Sequence, residues 1–495
     1  MDGWLGEKVA PMSGRKQYSY AILEPDGDDD IRVFRRMLSS SSSSGMNFPV
    51  DNNSSSLSAT KVANNSDILS QILLCLPVKS LLIFKSVSKK WLFLISDPYF
   101  ANNHSCRKTS FKIPGLFIEK LRRPSGPPDD PEFEFPFIFL NNDNDDDATT
   151  GGGGVPLKTL DFVEVPPRNW EGPIAETSLR IEHSCNGLLC CTRITSQMAK
   201  EPRIVIHHIY IYNPTTKRYK ALPRSPFRDV VKDYWNGVKS VSLAFDPIKS
   251  PDHYQVICIW VDIGKFEEHD LYYIEIYSSK TNSWRLSAES PFSARPLSSS
   301  RAPGVLWNCF LRPGVFWNGC LHWISIFSTM EDEASVYFDI EQDLVKPLPL
   351  PAVPNDDVWN FKYIGECRNH LYLVGIIGSC PDNYSIFEME KDYSGWNLIY
   401  KLDLERIINA YHLDTVTHYN NTMDYYVWVM FLGEAEEKSS TKLVLLINAT
   451  QLISYDLKEM SYREIYHFDP KTLTMTPGSG SRGYVHQYIP SLACV

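Results

Sequence analysis

Apolar positions in the stretch "DILSQILLCLPVKSLLIFKSVSKKWLFLI", residues 67 to 95, return at three- and four-residue spacings. Ile68, Ile72 and Cys75 form one helical stripe, Leu69, Leu73 and Leu76 lie one step round, and Asn65 or Ser66 offers a cap before the first turn. Pro77 cannot continue that helix but suits the first turn of another. "PVKSLLIFK" therefore predicts a second helix, and "VSKKWLFLIS" a third with Val87, Trp91 and Leu94 on one face. A unit of three short helices is expected within residues 61–106.

From about residue 110 the pattern changes to short alternating runs rich in Val, Ile, Tyr, Phe and Trp, bounded by Pro, Gly, Asn and Asp, which predicts many strands. Asn186-Gly187 and Asn318-Gly319 stand between apolar runs and predict tight hairpins. The stretches "IYIYNPTTKRYKALP", "YIEIYSSKTNSWRLS", "SVYFDIEQDLVKPLPLP", "YSIFEMEKDYSGWNLIYKL" and "QLISYDLKEMSYREIY" share one plan of strand, polar turn and strand. Marked by Tyr212, Tyr277, Phe338, Phe387 and Tyr455, they recur at steps of 65, 61, 49 and 68 residues. Propeller blades run about 40–50 residues before loop insertions, so the recurrence predicts repeated four-stranded modules. The expected fold class is α+β multidomain: a small three-helix unit followed by an all-β propeller of about six blades over residues 110–490. The tail "GYVHQYIPSLACV" would supply a late strand that closes the ring.

Composition adds the remaining boundaries. Residues 1–60, with their serine and asparagine tracts, cannot bury enough apolar surface to offset chain entropy and are expected to be disordered. "NNDNDDDATTGGGG" at 141–154 alternates aspartates as a calcium loop does, yet has Ala148 where that loop requires glycine and Gly154 where it requires glutamate, so it is expected to be an acidic, flexible insertion. Lys and Arg total 49 against 59 Asp and Glu, a net charge of −10 without a basic stripe, which argues against a nucleic-acid partner. No apolar run approaches the roughly 18 residues needed to span a bilayer, and the start lacks a secretory signal. The eleven cysteines are odd in number and lack paired spacing. They are expected to be small buried apolar residues of an intracellular protein, in cytoplasm, nucleus or both.

Candidate chemistry is sparse. His207 and His208 are adjacent in a predicted strand, so their rings point to opposite faces and cannot share a metal. His412, Asp414 and His418 would share a face if extended and are the best metal candidates, but the spacing matches no ligand set, and no metal or cofactor is expected. Motifs for a nucleophile elbow, a phosphate loop or a zinc protease helix are missing, so no catalytic residue is assigned. Trp284 and Trp396 occupy matching places in the repeat and are expected to pack. Trp235 and Trp359 sit in turn-like surroundings and are weak candidates for an exposed, substrate-contacting rim, with Trp307 a further possible anchor.

Eighteen of the 28 residues from Ile68 to Ile95 are apolar, more than three short helices can hide among themselves. The surplus must dock either on the chain's own β-domain or on a partner.

The segment "DILSQILLCLPVKSLLIFKSVSKKWLFLISDPYF" closely resembles the F-box common in plant proteins. The matched positions are Leu76, Pro77, Lys79, Ser80, Leu81, then Phe84, Lys85, Val87, Ser88, Lys89, Trp91, then Leu94, Ile95, Ser96, Asp97, Pro98 and Phe100. The Leu-Pro pair that usually precedes the first helix is here Asn64-Asn65, and Gln71 replaces a frequent acid. "SCNGLLCC", "IYNPTTKRYKALP", "LAFDP" and "IYSSKTNSWR" resemble the F-box-associated, kelch-like propeller of the same families, although the repeats lack the Gly-Gly of kelch blades and the Trp-Asp of WD blades. The resemblance implies a non-catalytic substrate-recognition subunit of an SCF-type ubiquitin ligase. The F-box would dock on a Skp-type adaptor, and through it a cullin-RING ligase, while the propeller recruits a protein substrate. By position, Ile72, Leu73, Leu76, Pro77, Leu81, Val87 and Trp91 would form or support the docking surface. The alternatives are an interaction scaffold uncoupled from the ligase and a propeller-fold metalloenzyme.

Overall fold

The computed structural model describes residues 62, 65–106, 113–122, 132–140, 174–176, 179–197, 204–227, 237–262, 271–293, 312–324, 335–352, 359–378, 380–413, 415–417, 423–425, 427–434, 441–448, 450–468 and 485–495. The segments 1–60 and 141–154, and Trp235, Trp307, Asp414 and His418, lie outside the described residues. The chain divides into two compact units, one built on helices within residues 66–96 and one holding all the sheets.

Helix α1 (Ser66–Leu73) starts where Asn65 Oδ1 accepts the amides of Asp67 and Ile68 at 3.0 and 3.2 Å. Asn65 therefore replaces the usual proline with a side-chain cap. Helix α2 (Val78–Phe84) begins directly after Pro77, and α3 (Lys89–Ser96) follows Ser88, whose Oγ accepts the Trp91 amide at 3.3 Å. The inner faces are Leu69 with Leu73, and Trp91 with Ile95. The expected Val87–Trp91–Leu94 face is corrected: Val87 precedes the helix, so the 3.6-residue period does not reach it. The Phe84 ring meets the Trp91 ring edge-on at 5.3 Å. A further helix, α4 (Pro98–Cys106), belongs to the second unit. Asp97 Oδ1 caps it by accepting the amides of Tyr99 and Phe100 at 2.7 and 3.3 Å, and Pro98 fills its first turn.

The second unit is a six-bladed propeller of antiparallel sheets. Blade one comprises Arg180–Cys185, Leu188–Gln197, Ile204–Asn213 and Arg218–Ala221, with Ile174–Glu176 added beside its second strand. Blades two to five each run through four consecutive strands: Gly237–Phe245 to Ser283–Leu286, Val315–Trp317 to Leu344–Pro347, Trp359–Cys367 to Trp396–Asp403, and Val427–Glu434 to Ser461–His467. Blade six joins the chain's last strand, Val485–Tyr488, to Gly115–Ile118 and Phe137–Phe139. The tail thus closes the ring, its last strand pairing antiparallel with Gly115–Ile118 from the start of the second unit's sheets.

The five repeat markers, Tyr212, Tyr277, Phe338, Phe387 and Tyr455, all lie on the third strand of blades one to five, and all are buried. Four of the following turns share one geometry. The residue five places after the marker takes a left-handed backbone: Lys217 (φ 56°), Asn282 (φ 51°), Asp343 (φ 59°) and Met460 (φ 50°). In three of them the residue after the marker caps the turn through Oδ1, as Asn213 does for Thr215 and Thr216, Asp339 for Gln342, and Asp456 for Lys458 and Glu459. The repeat is therefore a repeated turn as much as a repeated strand.

Adjacent blades are tied by the matching tryptophans. Trp284 Nε1 donates to Pro223 O and Trp396 Nε1 to Pro349 O, each at 2.7 Å, and each acceptor lies just past the outer strand of the preceding blade. Trp359, in contrast, corrects the expectation of an exposed rim. It opens the inner strand of blade four, is 9% exposed, and packs on Phe387 with ring centres 5.9 Å apart. Gly375 makes this possible, because a Cβ there would collide with the Trp359 ring. Of the nine cysteines whose side chains the structure describes, none is in a disulfide and six are buried as expected, whereas Cys75, Cys380 and Cys494 are exposed.

Candidate functional site

The helical unit presents apolar side chains outward. Of the seven docking residues implied by the F-box resemblance, Leu73, Leu81 and Trp91 are buried, so their place is in the support of the unit. Ile72, Leu76 and Val87 are half-buried and Pro77 is exposed. Pattern reading missed the most accessible groups: Ile68 is 46% exposed, Ile83 55%, Leu92 44% and Phe93 75%. The signal for Leu92 and Phe93 was present in α3, where five apolar residues run consecutively although only Trp91 and Ile95 share its buried face. An apolar surface of this density on a small unit marks an interaction site.

In the propeller, a channel of about 200 Å³ is lined from the inner strands of blades one, three, four, five and six. Its lining includes three histidines whose protonation burial disfavours. His183 is brought down to about pKa 4 by burial, and its Nδ1 accepts the Leu243 amide at 2.9 Å. His322 is likewise lowered to about 4, with the Val315 carbonyl 3.0 Å from Nδ1 and the Tyr393 hydroxyl 3.0 Å from Nε2. His486 falls to about 3 through burial, then through the nearby charges of His183 and Arg180. Near neutral pH all three are uncharged. Burial also lifts the Glu366 carboxyl to about 7, although the Asn369 amide donates to its Oε1 at 2.7 Å.

A second cavity, about 320 Å³, shares Asn186, Phe316, Glu366 and Gln487 with the channel and is bordered by Asn318, Arg368 and Asn369. Asn186-Gly187 and Asn318-Gly319 form the expected left-handed turns. Arg368-Asn369, at φ 52° and 64°, makes a third between the first two strands of blade four without the Asn-Gly pair that signals one. His207 and His208 sit in a blade-one strand, where His208 Nε2 is 2.8 Å from Thr195 Oγ1. His412 is exposed in a turn, and no group of three metal-ligating side chains occurs among the described residues.

Comparison with known proteins agrees with both units. A profile of the F-box domain matches residues 65–103, and one of the F-box associated beta propeller domain matches residues 166–365, ending inside the first strand of blade four. The chain belongs to the F-box proteins that carry an F-box-associated β-propeller. Among its relatives, F-box protein At5g07610 of Arabidopsis thaliana is 30% identical over 423 residues, covering 84% of this chain and 88% of the relative. F-box protein At5g49610 of the same plant is 28% identical, covering 58% of this chain and 64% of the relative. Among solved structures, an alpha-L-arabinofuranosidase from Fusarium graminearum aligns over 62% of this chain and 90% of its own at 12% identity, with a TM-score of 0.33. That likeness is too low to bear on function.

Proposed function

We propose that this F-box protein is the substrate-recognition subunit of an SCF-type ubiquitin ligase, its helical unit docking on a Skp-type adaptor and its propeller recruiting the protein to be modified. The observation that carries the reading is the outward apolar surface of Ile83, Leu92 and Phe93 within the segment that matches the F-box. Leu73, Leu81 and Trp91 hold the helices, while Ile72, Leu76, Pro77 and Val87 contribute to or border the docking face. Such a subunit accelerates transfer without a catalytic residue of its own, because holding the client beside the charged enzyme raises its effective concentration. No helix among the described residues is long and apolar enough to cross a membrane.

The test is co-purification of the full chain with a panel of Skp-type adaptors, beside a Leu76→Ala, Pro77→Ala variant whose circular dichroism is unchanged. Capture by the unaltered chain and loss in the variant supports the reading. Failure of the unaltered chain to capture any adaptor supports an uncoupled scaffold instead.

A further inference from the structure

Blade one buries a cation that its own fold does not pair. Arg193, on the second strand, is 5% exposed, and its Nε and Nη2 are both buried without a hydrogen-bond acceptor. Side chains alternate across a strand, so Arg193 shares a face with Leu189 and Cys191, which pack with Phe117 and Phe135. Arginine is rarely taken so far from water unless an anion accompanies it, because a buried charge without a partner is costly. The position therefore points to an anion that the chain does not itself supply.

The two nitrogens define the shape of that anion. Nε and Nη2 form one edge of the planar guanidinium, and their N–H groups match the two oxygens of a carboxylate. Arg180, on the adjacent strand, uses this edge: Nε donates to Glu119 Oε2 at 3.4 Å and Nη2 to Glu119 Oε1 at 2.9 Å. Arg193 presents the same edge without an acceptor. The carboxylates on the neighbouring strands are committed, Glu119 to Arg180 and Glu182 Oε1 to the Thr192 hydroxyl at 2.6 Å. The sheet is also interrupted here. Arg180–Cys185 pairs with the second strand only as far as Thr192, and Ile174–Glu176 resumes the pairing at Thr195. Arg193 thus lies at the break between two inner strands.

We propose that Arg193 anchors a binding site for a small organic acid, whose carboxylate takes the Nε and Nη2 edge at the break in the inner strands. Burial selects a small acid over the side chain of a docked protein. An Asp or Glu carboxylate is tied closely to its own backbone, which would have to follow it into the sheet, whereas a free acid enters alone.

Thermal unfolding of the full chain is followed with acetate, benzoate or succinate, against chloride at equal ionic strength, for wild type, Arg193→Met and Arg193→Lys. Met fills similar space without charge, so in the absence of acid Arg193→Met is expected to unfold at the wild-type temperature or above it, since no pair is broken. At least one acid is expected to raise the wild-type midpoint beyond the chloride control and to leave that of Arg193→Met unmoved. Arg193→Lys keeps the charge but loses the planar edge, and should bind that acid at least about tenfold more weakly. A lowered midpoint of Arg193→Met without acid, no acid effect beyond chloride in the wild type, or an equal effect in wild type and Arg193→Met overturns the proposal. So does a loss of stability in an Asp143→Asn, Asp145→Asn, Asp146→Asn, Asp147→Asn variant that disappears when Arg193→Met is added, because the chain's own acidic run would then hold the edge.

Discussion

Asn213 joins the first repeat turn to the end of the chain, and its replacement gives the sharpest energetic prediction. The side chain is fully buried and makes four hydrogen bonds. Oδ1 accepts the amides of Thr215 and Thr216 at 2.9 and 3.1 Å, while Nδ2 donates to Ser491 O and Ala493 O at 3.1 and 2.8 Å. Asn213→Ala strands two amides and two carbonyls. At roughly 1 kcal/mol for each buried group left without a partner, the low end of the usual range, the loss is about 4 kcal/mol. Since domains are typically stable by about 5–15 kcal/mol, most of the margin would be at risk. Asn213→Asp keeps both accepted bonds but sets a carboxylate against two carbonyl oxygens. Its folded pKa is then raised above the unfolded value, so the folded state holds more protons and stability falls as pH rises above about 4. Urea unfolding followed by tryptophan fluorescence measures both variants. An Asn213→Ala protein within about 1 kcal/mol of wild type, against the roughly fourfold larger cost expected from these bonds, would refute the reasoning. So would an Asn213→Asp protein equally stable at acidic and neutral pH.

Other perturbations follow from single contacts. Trp284→Phe keeps an aromatic ring but leaves the Pro223 carbonyl unpaired, and should lower stability by about 1–2 kcal/mol in urea unfolding. Asn65→Ala removes the α1 cap and should cost about 1 kcal/mol, read as lower helicity of the first unit on mild heating. His322 and His486 have folded pKa values of about 4 and 3 against an ordinary 6.5, so the unfolded chain binds more protons between those values and stability rises with pH across that window. Glu366, raised from 4.5 to about 7, acts with the opposite sign, so Glu366→Gln should steepen the rise in urea midpoints and His322→Gln should flatten it.

The parts legible in the sequence were those governed by local rules. Pro77 set the boundary between α1 and α2, Asn-Gly pairs set two hairpins, and the aromatic markers found the third strand of five blades, because each depends on residues within one turn or one strand. The matching of Trp284 with Trp396 was also visible, though their acceptors, 61 and 47 residues away, were not. What was hidden is non-local. Nothing near Asn213 shows that its amide reaches Ser491, 278 residues later, and nothing near Trp359 shows that Gly375 on the paired strand leaves space for its ring. On the helical unit, the apolar run was plain, but which side chains turn outward depended on where α3 begins. A start at Lys89 moves Leu92 and Phe93 to the accessible side. Asp97-Pro98 did carry a local signal, a cap followed by a first-turn proline, and α4 is the helix it starts.

The central claim, that the helical unit is a docking module for a Skp-type adaptor, is tested most directly by titrating the full chain with such an adaptor in a calorimeter, wild type beside Phe93→Asp. Phe93 is 75% exposed, so the substitution should leave the fold and its unfolding temperature unchanged. Loss of about 2 kcal/mol or more of binding energy, roughly thirtyfold in affinity, is the predicted result. Equal affinity of the two proteins would contradict the assignment of that surface, and no heat of binding from either would contradict the docking role itself.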